Sequence, residues 1–455
     1  MNKTIAALNT IYLVGTIHFR GIDMRLREKI QFRIASLYTY SLSAYEQLRY
    51  GVALNPLSPK VGRNPYPYHD ALREKRPIHF SPAINAFWVT RFDWVQEILR
   101  DKRFGADVRK HPKRLERVTQ HMDEERLENF NHPSMLDLDP PDHTRIRRLA
   151  SQGFINRFIQ SLEPRIRVIV DECLTATANQ SVIDFVDVVA KPLPAIVIAE
   201  MMGLPKKDHD QFQRWSEDLI DGTGTNDTDR LEASQQASRS LRHYFKTIIA
   251  SKRNSSDEDL ITLLIGAEEG DDTLSEIELY NTCLLLLVAG HETTTRLIGN
   301  GLYLLLAQPE QLSKLQSDPS LIPNAVEEML RYEPPVQATR RFVMEDIEFH
   351  GTQFKKGELI FLSIAGSNRD RTANKDPGTF DVSRENVKQI SFGYGIHLCL
   401  GIALARLEAR VTFEEILSRY PTLSLADEEP AWGTNPFFRG LEHLNVRVED
   451  AHQEN

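Results

Sequence analysis

The stretch Phe392-Gly393-Tyr394-Gly395-Ile396-His397-Leu398-Cys399-Leu400-Gly401 sets three glycines around one cysteine. Gly393 and Gly395 permit a tight backbone course with positive φ, which residues carrying a Cβ resist. A helical pattern, Ile402–Ile416, follows at once, so Cys399 stands just before a helix N-terminus. Unpaired N–H groups and the helix dipole favour a thiolate there. The segment therefore holds an activated cysteine, suited to ligate a metal or to act as a nucleophile. A cysteine hydrolase would need a histidine base oriented by Asn or Asp. His397 is two residues away, which is poor geometry for a base that must face the sulfur. The other reading is a thiolate axial ligand to haem iron.

Outward from this loop the chain reads as mainly α with a minor β part. Helical patterns cover Phe92–Leu99, His143–Phe158, Pro164–Ala178, Lys206–Leu219, Glu232–Lys252 and Pro309–Leu315. Strand-like runs are short: Ile78–Phe80, Ala86–Val89, Ile347–Phe349, Leu359–Leu362 and Leu444–Val448. One helix is expected to be much longer than the rest. Thr273-Leu-Ser-Glu276 reads as a capping box, the apolar run continues to Leu306, and Pro309 follows. About 33 residues at 1.5 Å each give a rod of roughly 50 Å. Its middle, Cys283–Ala289, is apolar nearly all round and should be buried.

Composition sets the outer limits. With 455 residues, 41% hydrophobic and 26% charged, the chain is no disordered polymer. A net charge of −9 argues against a dedicated nucleic-acid binder. The three cysteines, Cys173, Cys283 and Cys399, are far apart and form no C-x-x-C pair. A disulfide framework or zinc ribbon is thereby disfavoured, and a reducing, cytoplasmic setting fits. Cys173 and Cys283 read as small buried hydrophobes. Length alone would allow two to four domains.

Two further motifs accompany the cysteine loop. Ala289-Gly290-His291-Glu292-Thr293-Thr294 falls mid-way along the long helix, and Glu328-Met-Leu-Arg331 puts a Glu–Arg pair on one helical face. A Glu directly after an apolar run is costly to bury unless partnered, which marks Glu292 as a functional candidate. Together with F-x-x-G-x-x-x-C-x-G, which Phe392–Gly401 matches at every fixed position, these motifs resemble those of the cytochrome P450 family, in its order. The run Ile402-Ala-Leu-Ala-Arg406 is similar to the bacterial members. The resemblance spans roughly residues 55–450. Gln389 departs from it, standing where bacterial members often carry a His.

The resemblance implies a single large domain, residues 51–455, built around a buried haem b (iron protoporphyrin IX). Cys399 would be its axial ligand, in a loop bounded by Phe392 and Gly401. Ala289 and Gly290 would face bound dioxygen, with Gly290 letting the helix open. Glu292 and Thr293 would relay protons to that oxygen. His143, Arg147, Arg341 and His397 would meet the haem propionates. Glu328 and Arg331, with Arg384 as third member, would be scaffold. By family position Leu286, Val336, Ala338, Phe437 and Phe438 would line an apolar substrate pocket, while the charged stretch Arg103–Glu128 would suit a polar or carboxylated substrate.

The implied activity is that of a monooxygenase, which puts one atom of O2 into a C–H bond or C=C of a hydrophobic small molecule. Electrons would come from a ferredoxin or flavodoxin with an NAD(P)H-dependent reductase, because the segments flanking the core are too short for a flavin or iron–sulfur domain. Arg145, Arg148 and Arg410 are candidates for a basic docking patch. The alternatives are a peroxygenase or isomerase on the same haem ligand, and a haem-binding sensor without catalysis. The intact Glu292-Thr293 pair favours the oxygen route over the first. Residues 1–50 form an N-terminal extension with seven Lys/Arg against three Asp/Glu. Within it, residues 22–48 read as a basic amphipathic helix, packed on the body or lying peripherally on a membrane.

Overall fold

Apolar residues recurring at three- and four-residue steps make most of this chain helical. The computed structural model describes residues 39–449, apart from 57, 120–121, 123, 178–179, 224, 226, 270–271 and 428. Five helices position the site: α1 (Asp142–Ala150), α2 (Pro192–Met201), α3 (Glu276–Leu306), α4 (Ile322–Tyr332) and α5 (Ile402–Arg419). Among them α3 is the expected long helix, 31 residues through the centre of the main core, packed on α2, α4 and α5. Gly301 shows how closely they approach: a Cβ there would stand 2.6 Å from Met329 Sδ of α4 and 2.7 Å from Phe413 of α5.

The start of α3 corrects the sequence reading. The N-cap is Ser275, its hydroxyl accepting from the Glu278 N–H while Glu278 accepts from the Ser275 N–H at 2.9 Å. Thr273 belongs instead to the short strand Asp272–Thr273. Two overlapping S/T-x-x-E frames exist here, and the one beside the apolar run closes the box.

A five-stranded sheet packs beside the helices. Its strands are β1 (Ile78–Ser81), β2 (Ala86–Val89), β3 (Phe104–Gly105), β4 (Ala338–Val343) and β5 (Leu359–Ser363), in the order β1-β2-β5-β4-β3. Only β2 and β5 run parallel. Strand β4 was not anticipated. Its register sets Arg341 opposite Ile360, inside, and Arg340 opposite Phe361, where it faces out and pairs with Asp137.

The expected amphipathic helix is described only over its last part, since residues 22–38 lie outside the described residues. The helix over 39–50 leans on the sheet: Glu46 is wholly buried and accepts from Ser81 Oγ at 2.8 Å, with His79 Nε2 at 3.0 Å. Tyr40, Tyr45 and Leu48 are exposed. Among the described residues, no helix is long and apolar enough to cross a membrane.

One buried histidine away from the site makes stability pH-dependent. His69 lies beside Ser363 Oγ at 3.2 Å. Burial, then Arg73 and Arg369, push its pKa down to about 3 from an ordinary 6.5. The unfolded chain therefore takes up this proton near pH 6.5, and the folded chain only far below. The stability in question is complete above pH 6.5 and falls as pH drops beneath it, by at most about 1.4 kcal/mol per pH unit. His69→Gln is expected to flatten the decline in denaturation midpoint between about pH 6.5 and pH 5; an unchanged slope would contradict this.

Candidate functional site

The cysteine loop has the predicted course. Gly393 and Gly395 take φ of 74° and 70°. A Cβ on Gly395 would stand 2.4 Å from the Leu99 carbonyl oxygen, so the loop is seated against the helix Phe92–Arg100. The Cys399 N–H donates to the Phe392 carbonyl at 2.8 Å and closes the loop. Gly401 is the N-cap of α5. Burial pushes the Cys399 thiol up, against the pull of the Gly401 N–H and the Arg147 and Arg406 guanidiniums. A metal bound at the sulfur deprotonates a thiol outright.

Beside this loop four side chains converge from three elements. His143 and Arg147 come from α1, Arg341 from β4 and His397 from the loop. The His143 and His397 rings stand 4.2 Å apart. Both ring nitrogens of His143 and Nε2 of His397 are buried with no hydrogen-bond partner among the described residues. Burial and the neighbouring guanidiniums push the pKa of His143 down to about 4 and of His397 to about 3. Burial also lowers Arg147, and lowers Arg341 to about 10. Arg147 donates to the Leu398 carbonyl, and Arg341 to the Arg340 carbonyl at 2.7 Å. Orphaned buried donors beside the buried Arg341 and half-buried Arg147 call for anions. The two carboxylates of a haem would fit that requirement.

The middle of α3 presents an odd face. Ala289 is exposed, and Gly290 and Thr293 are half-buried, although Leu286, Leu287 and Thr294 nearby are buried. These small residues leave room on one side of an otherwise packed helix. Thr293 Oγ1 donates to the Ala289 carbonyl at 2.8 Å. The helix runs unbroken through Gly290. A Cβ on Gly290 would meet Ile198 of α2 at an ordinary contact distance of 3.4 Å, so packing on α2 does not by itself require a glycine here. Glu292 is buried, with Oε2 at 3.0 Å from Arg296 Nη2 and Oε1 at 3.7 Å from His291 Nδ1. Arg296 escaped the sequence reading. An i, i+4 Glu–Arg spacing was its only local signal.

Glu328 and Arg331, both buried, meet the half-buried Arg384 as a triad. Arg331 reaches Glu328 at 2.6 and 2.8 Å, and Arg384 Nε reaches both Glu328 oxygens at 3.1 Å. Gln389, at the departure noted above, donates to Glu327, which also holds Arg406.

Of the five pocket candidates, Val336, Ala338, Phe437 and Phe438 lie on two neighbouring segments, and Leu286 is on α3. Leu286 belongs to the main helical core, and Val336 packs against the sheet cluster. Ala338 and Phe437 belong to a third cluster, where Phe437 stacks on Phe361 at 5.4 Å. Val336 and Phe438 do meet, as a bridge pair. The proposed docking arginines are each engaged: Arg145 with Glu278, Arg148 with Asp272, Arg410 with Glu163 and Glu414. In the stretch Arg103–Glu128, Arg103 pairs with Asp101, Arg109 with Asp107 and Lys110 with Asp139, so these cations are already compensated.

A mainly helical body with a glycine-bracketed Cys at a helix start and an anion cradle beside it defines a haem-thiolate protein. Comparison with known proteins agrees. The cytochrome P450 family model matches residues 107–435. Cytochrome P450 107B1 of Saccharopolyspora erythraea is 41% identical over 371 residues, 80% of this chain and 90% of that protein. The 6-deoxyerythronolide B hydroxylase of the same organism is 36% identical, covering 84% and 96%. The structure of the bacillaene polyketide synthase cytochrome P450 PksS of Bacillus subtilis superposes with a TM-score of 0.79 at 36% identity, over 87% of this chain and 100% of that one. The chain belongs to the cytochrome P450 family. Its activity is that of a monooxygenase acting on hydrophobic small molecules, with haem-thiolate iron as cofactor and electrons from a redox partner.

Proposed function

We propose that Cys399 is the axial thiolate to a haem b, with its propionates held by His143, Arg147, Arg341 and His397. The observation that carries this is the meeting of the Cys399 loop with unpartnered buried histidines, the buried Arg341 and the half-buried Arg147, drawn from separate elements. When bound, the haem supplies oxygen activation, and a thiolate ligand favours O–O cleavage. The protein supplies the rest. α3 turns its small residue Ala289 toward the reacting face. The Thr293 hydroxyl donates its hydrogen bond to the Ala289 carbonyl, which leaves its oxygen free to accept one from a proton-carrying group and hold that group in place, and it passes its own proton only by turning from that carbonyl as it takes up another. Glu292 stands one residue away as the carboxylate through which protons enter.

Residues 51–455 form the catalytic domain in this reading, with 1–50 as an extension, and the three unpaired cysteines fit a cytoplasmic setting. The substrate class we propose is a hydrophobic small molecule of the polyketide kind, supported by the names of the relatives above. A ferredoxin or flavodoxin with its NAD(P)H-dependent reductase is the proposed donor. Arg100 over Tyr394 puts a cation on the cysteine loop, where an acidic carrier would be attracted.

Purified protein, reduced and treated with carbon monoxide, tests the thiolate assignment. It is expected to show the red-shifted Soret band of a thiolate-bound haem, and absence of haem would sink the reading. Thr293→Ala tests the relay. Product formed per electron pair is expected to fall about tenfold or more, with peroxide in its place, while Thr293→Ser keeps most of the yield. Fully coupled turnover by Thr293→Ala would remove the hydroxyl from the proton route.

A further inference from the structure

Glu292 is tied to a part of the chain that takes no part in the haem site as described so far. Its carboxylate oxygen Oε2 lies 3.0 Å from Arg296 Nη2, one turn further along α3. The Arg296 side chain does not extend into solvent: it is mostly buried, and its Nε has no hydrogen-bond partner among the described residues. What it rests on is the C-terminal hairpin. A Cβ on Gly440 would fall 2.5 Å from Arg296 Cγ and 3.1 Å from its Nη1, and one on Gly433 would fall 3.9 Å from that same Nη1. Gly433 and Gly440 are themselves joined, N–H to carbonyl, at 2.8 Å. The arginine therefore lies along a glycine-floored slot in the paired strands Ala431–Trp432 and Leu441–His443.

The loop between these strands leads to the substrate side. Phe437 and Phe438 are at its tip, where the Gln337 N–H donates to the Phe437 carbonyl at 2.8 Å and Phe438 bridges Val336. Asn435, at the same tip, donates to the carbonyls of Ile220 and Thr223 at 2.8 and 3.1 Å. One loop thus touches the candidate pocket at its tip and the arginine of α3 at its base. A shift of this loop moves the floor on which Arg296 lies, and with it the group that holds Glu292.

We propose that Arg296 is a positioning residue for proton delivery: seated on Gly440, it fixes the Glu292 carboxylate and ties its placement to the hairpin that carries Phe437 and Phe438. This rests on Glu292 serving as the proton entry described above. Arg296 itself touches neither substrate nor oxygen. Its effect is to decide where the carboxylate stands when a proton must pass, and so how reduced oxygen partitions between product and peroxide.

The experiment uses haem-loaded full-length protein with its donor system and any substrate that produces a spin-state shift. Product per electron pair, peroxide released and the solvent deuterium isotope effect on product formation are measured for Arg296→Gln, Arg296→Lys, Gly440→Ala and Glu292→Gln. Arg296→Gln is expected to lower product yield about tenfold, the scale for a misplaced catalytic group, and to enlarge the isotope effect. Arg296→Lys, which keeps the charge, should recover most of the yield. Gly440→Ala forces the arginine stem to move and should act in the same direction. Combined with Arg296→Gln it should add less than about twofold, because both act through one contact. The reduced, carbon monoxide-treated spectrum of each variant reports whether the haem site is intact, and Arg296→Lys serves if Gly440→Ala does not fold. If Glu292→Gln alone leaves yield and isotope effect unchanged, the proton-entry role of Glu292 fails. If Glu292→Gln lowers the yield but Arg296→Gln with an intact spectrum does not, the positioning role of Arg296 is overturned by itself.

Discussion

Replacing Cys399 by Ser is expected to abolish oxygen insertion while leaving the fold in place. The loop around this residue is held by its backbone: the Cys399 N–H to the Phe392 carbonyl at 2.8 Å, and two glycines with positive φ. Serine keeps all of these and is nearly the same size. What it loses is a sulfur able to donate electron density to iron. The expected loss in turnover is at least about 10³-fold, the scale for removing a group whose contribution is made in the transition state. The red-shifted Soret band of the reduced, carbon monoxide-treated protein should disappear with it. The other two cysteines provide the controls. Cys283 is buried in the main helical core and Cys173 packs against it, and neither belongs to the loop Phe392–Gly401. Cys173→Ala and Cys283→Ala should keep the band and the activity. A Cys399→Ser protein that retained both would end the assignment of this residue to the metal.

Much of this arrangement is legible from the sequence because its causes are local. Gly393 and Gly395 announce a positive-φ loop whatever surrounds them. The apolar run to Leu306 announces a long buried helix whatever packs on it. Local cues also misled where two of them competed. Thr273 and Ser275 both offer an S/T-x-x-E frame, and the choice between them was made by which hydroxyl adjoined the apolar face. Strand β4 was missed because Arg340 and Arg341 interrupt its apolar alternation. Its partner β5 supplies the reason to be a strand, and that lies in tertiary pairing. The clusters that the pocket candidates join were hidden for the same reason. Leu286 and Ala338 are apolar, but only packing decides which core an apolar residue joins. Arg296 is the plainest case: its slot is made by Gly433 and Gly440, remote in sequence and silent without coordinates.

Glu328→Ala is the substitution expected to cost the most stability. Glu328 and Arg331 are both wholly buried. The carboxylate is the shared counter-ion of two guanidiniums, at 2.6 and 2.8 Å from Arg331 and 3.1 Å from Arg384, and it also accepts the Asp381 N–H at 2.9 Å. Arg331 in turn donates to the carbonyls of Pro377 and Thr379 at 2.8 and 3.0 Å, and to that of Asn368 at 3.3 Å. Asn368 carries the link on, donating to Ser391 Oγ at 2.9 Å and accepting the Ile390 N–H, immediately before the cysteine loop. Removing the carboxylate leaves a buried arginine with no counter-charge, which costs about 3–5 kcal/mol. That is a large share of the roughly 5–15 kcal/mol that holds a native protein together. The expected result is a protein with a sharply lower denaturation midpoint that loses haem readily, because the strain reaches Ser391 and the loop behind it. Glu328→Gln keeps the hydrogen-bond acceptor but not the charge, and should fall between the two. In the fraction of Glu328→Ala that does fold and hold haem, product per electron pair should match the unaltered protein, since no member of the triad touches oxygen or substrate. A midpoint within about 1 kcal/mol of the unaltered protein would show that water or other donors reach Arg331 and compensate it. A selective loss of coupling with stability intact would move Glu328 from the scaffold to the reaction.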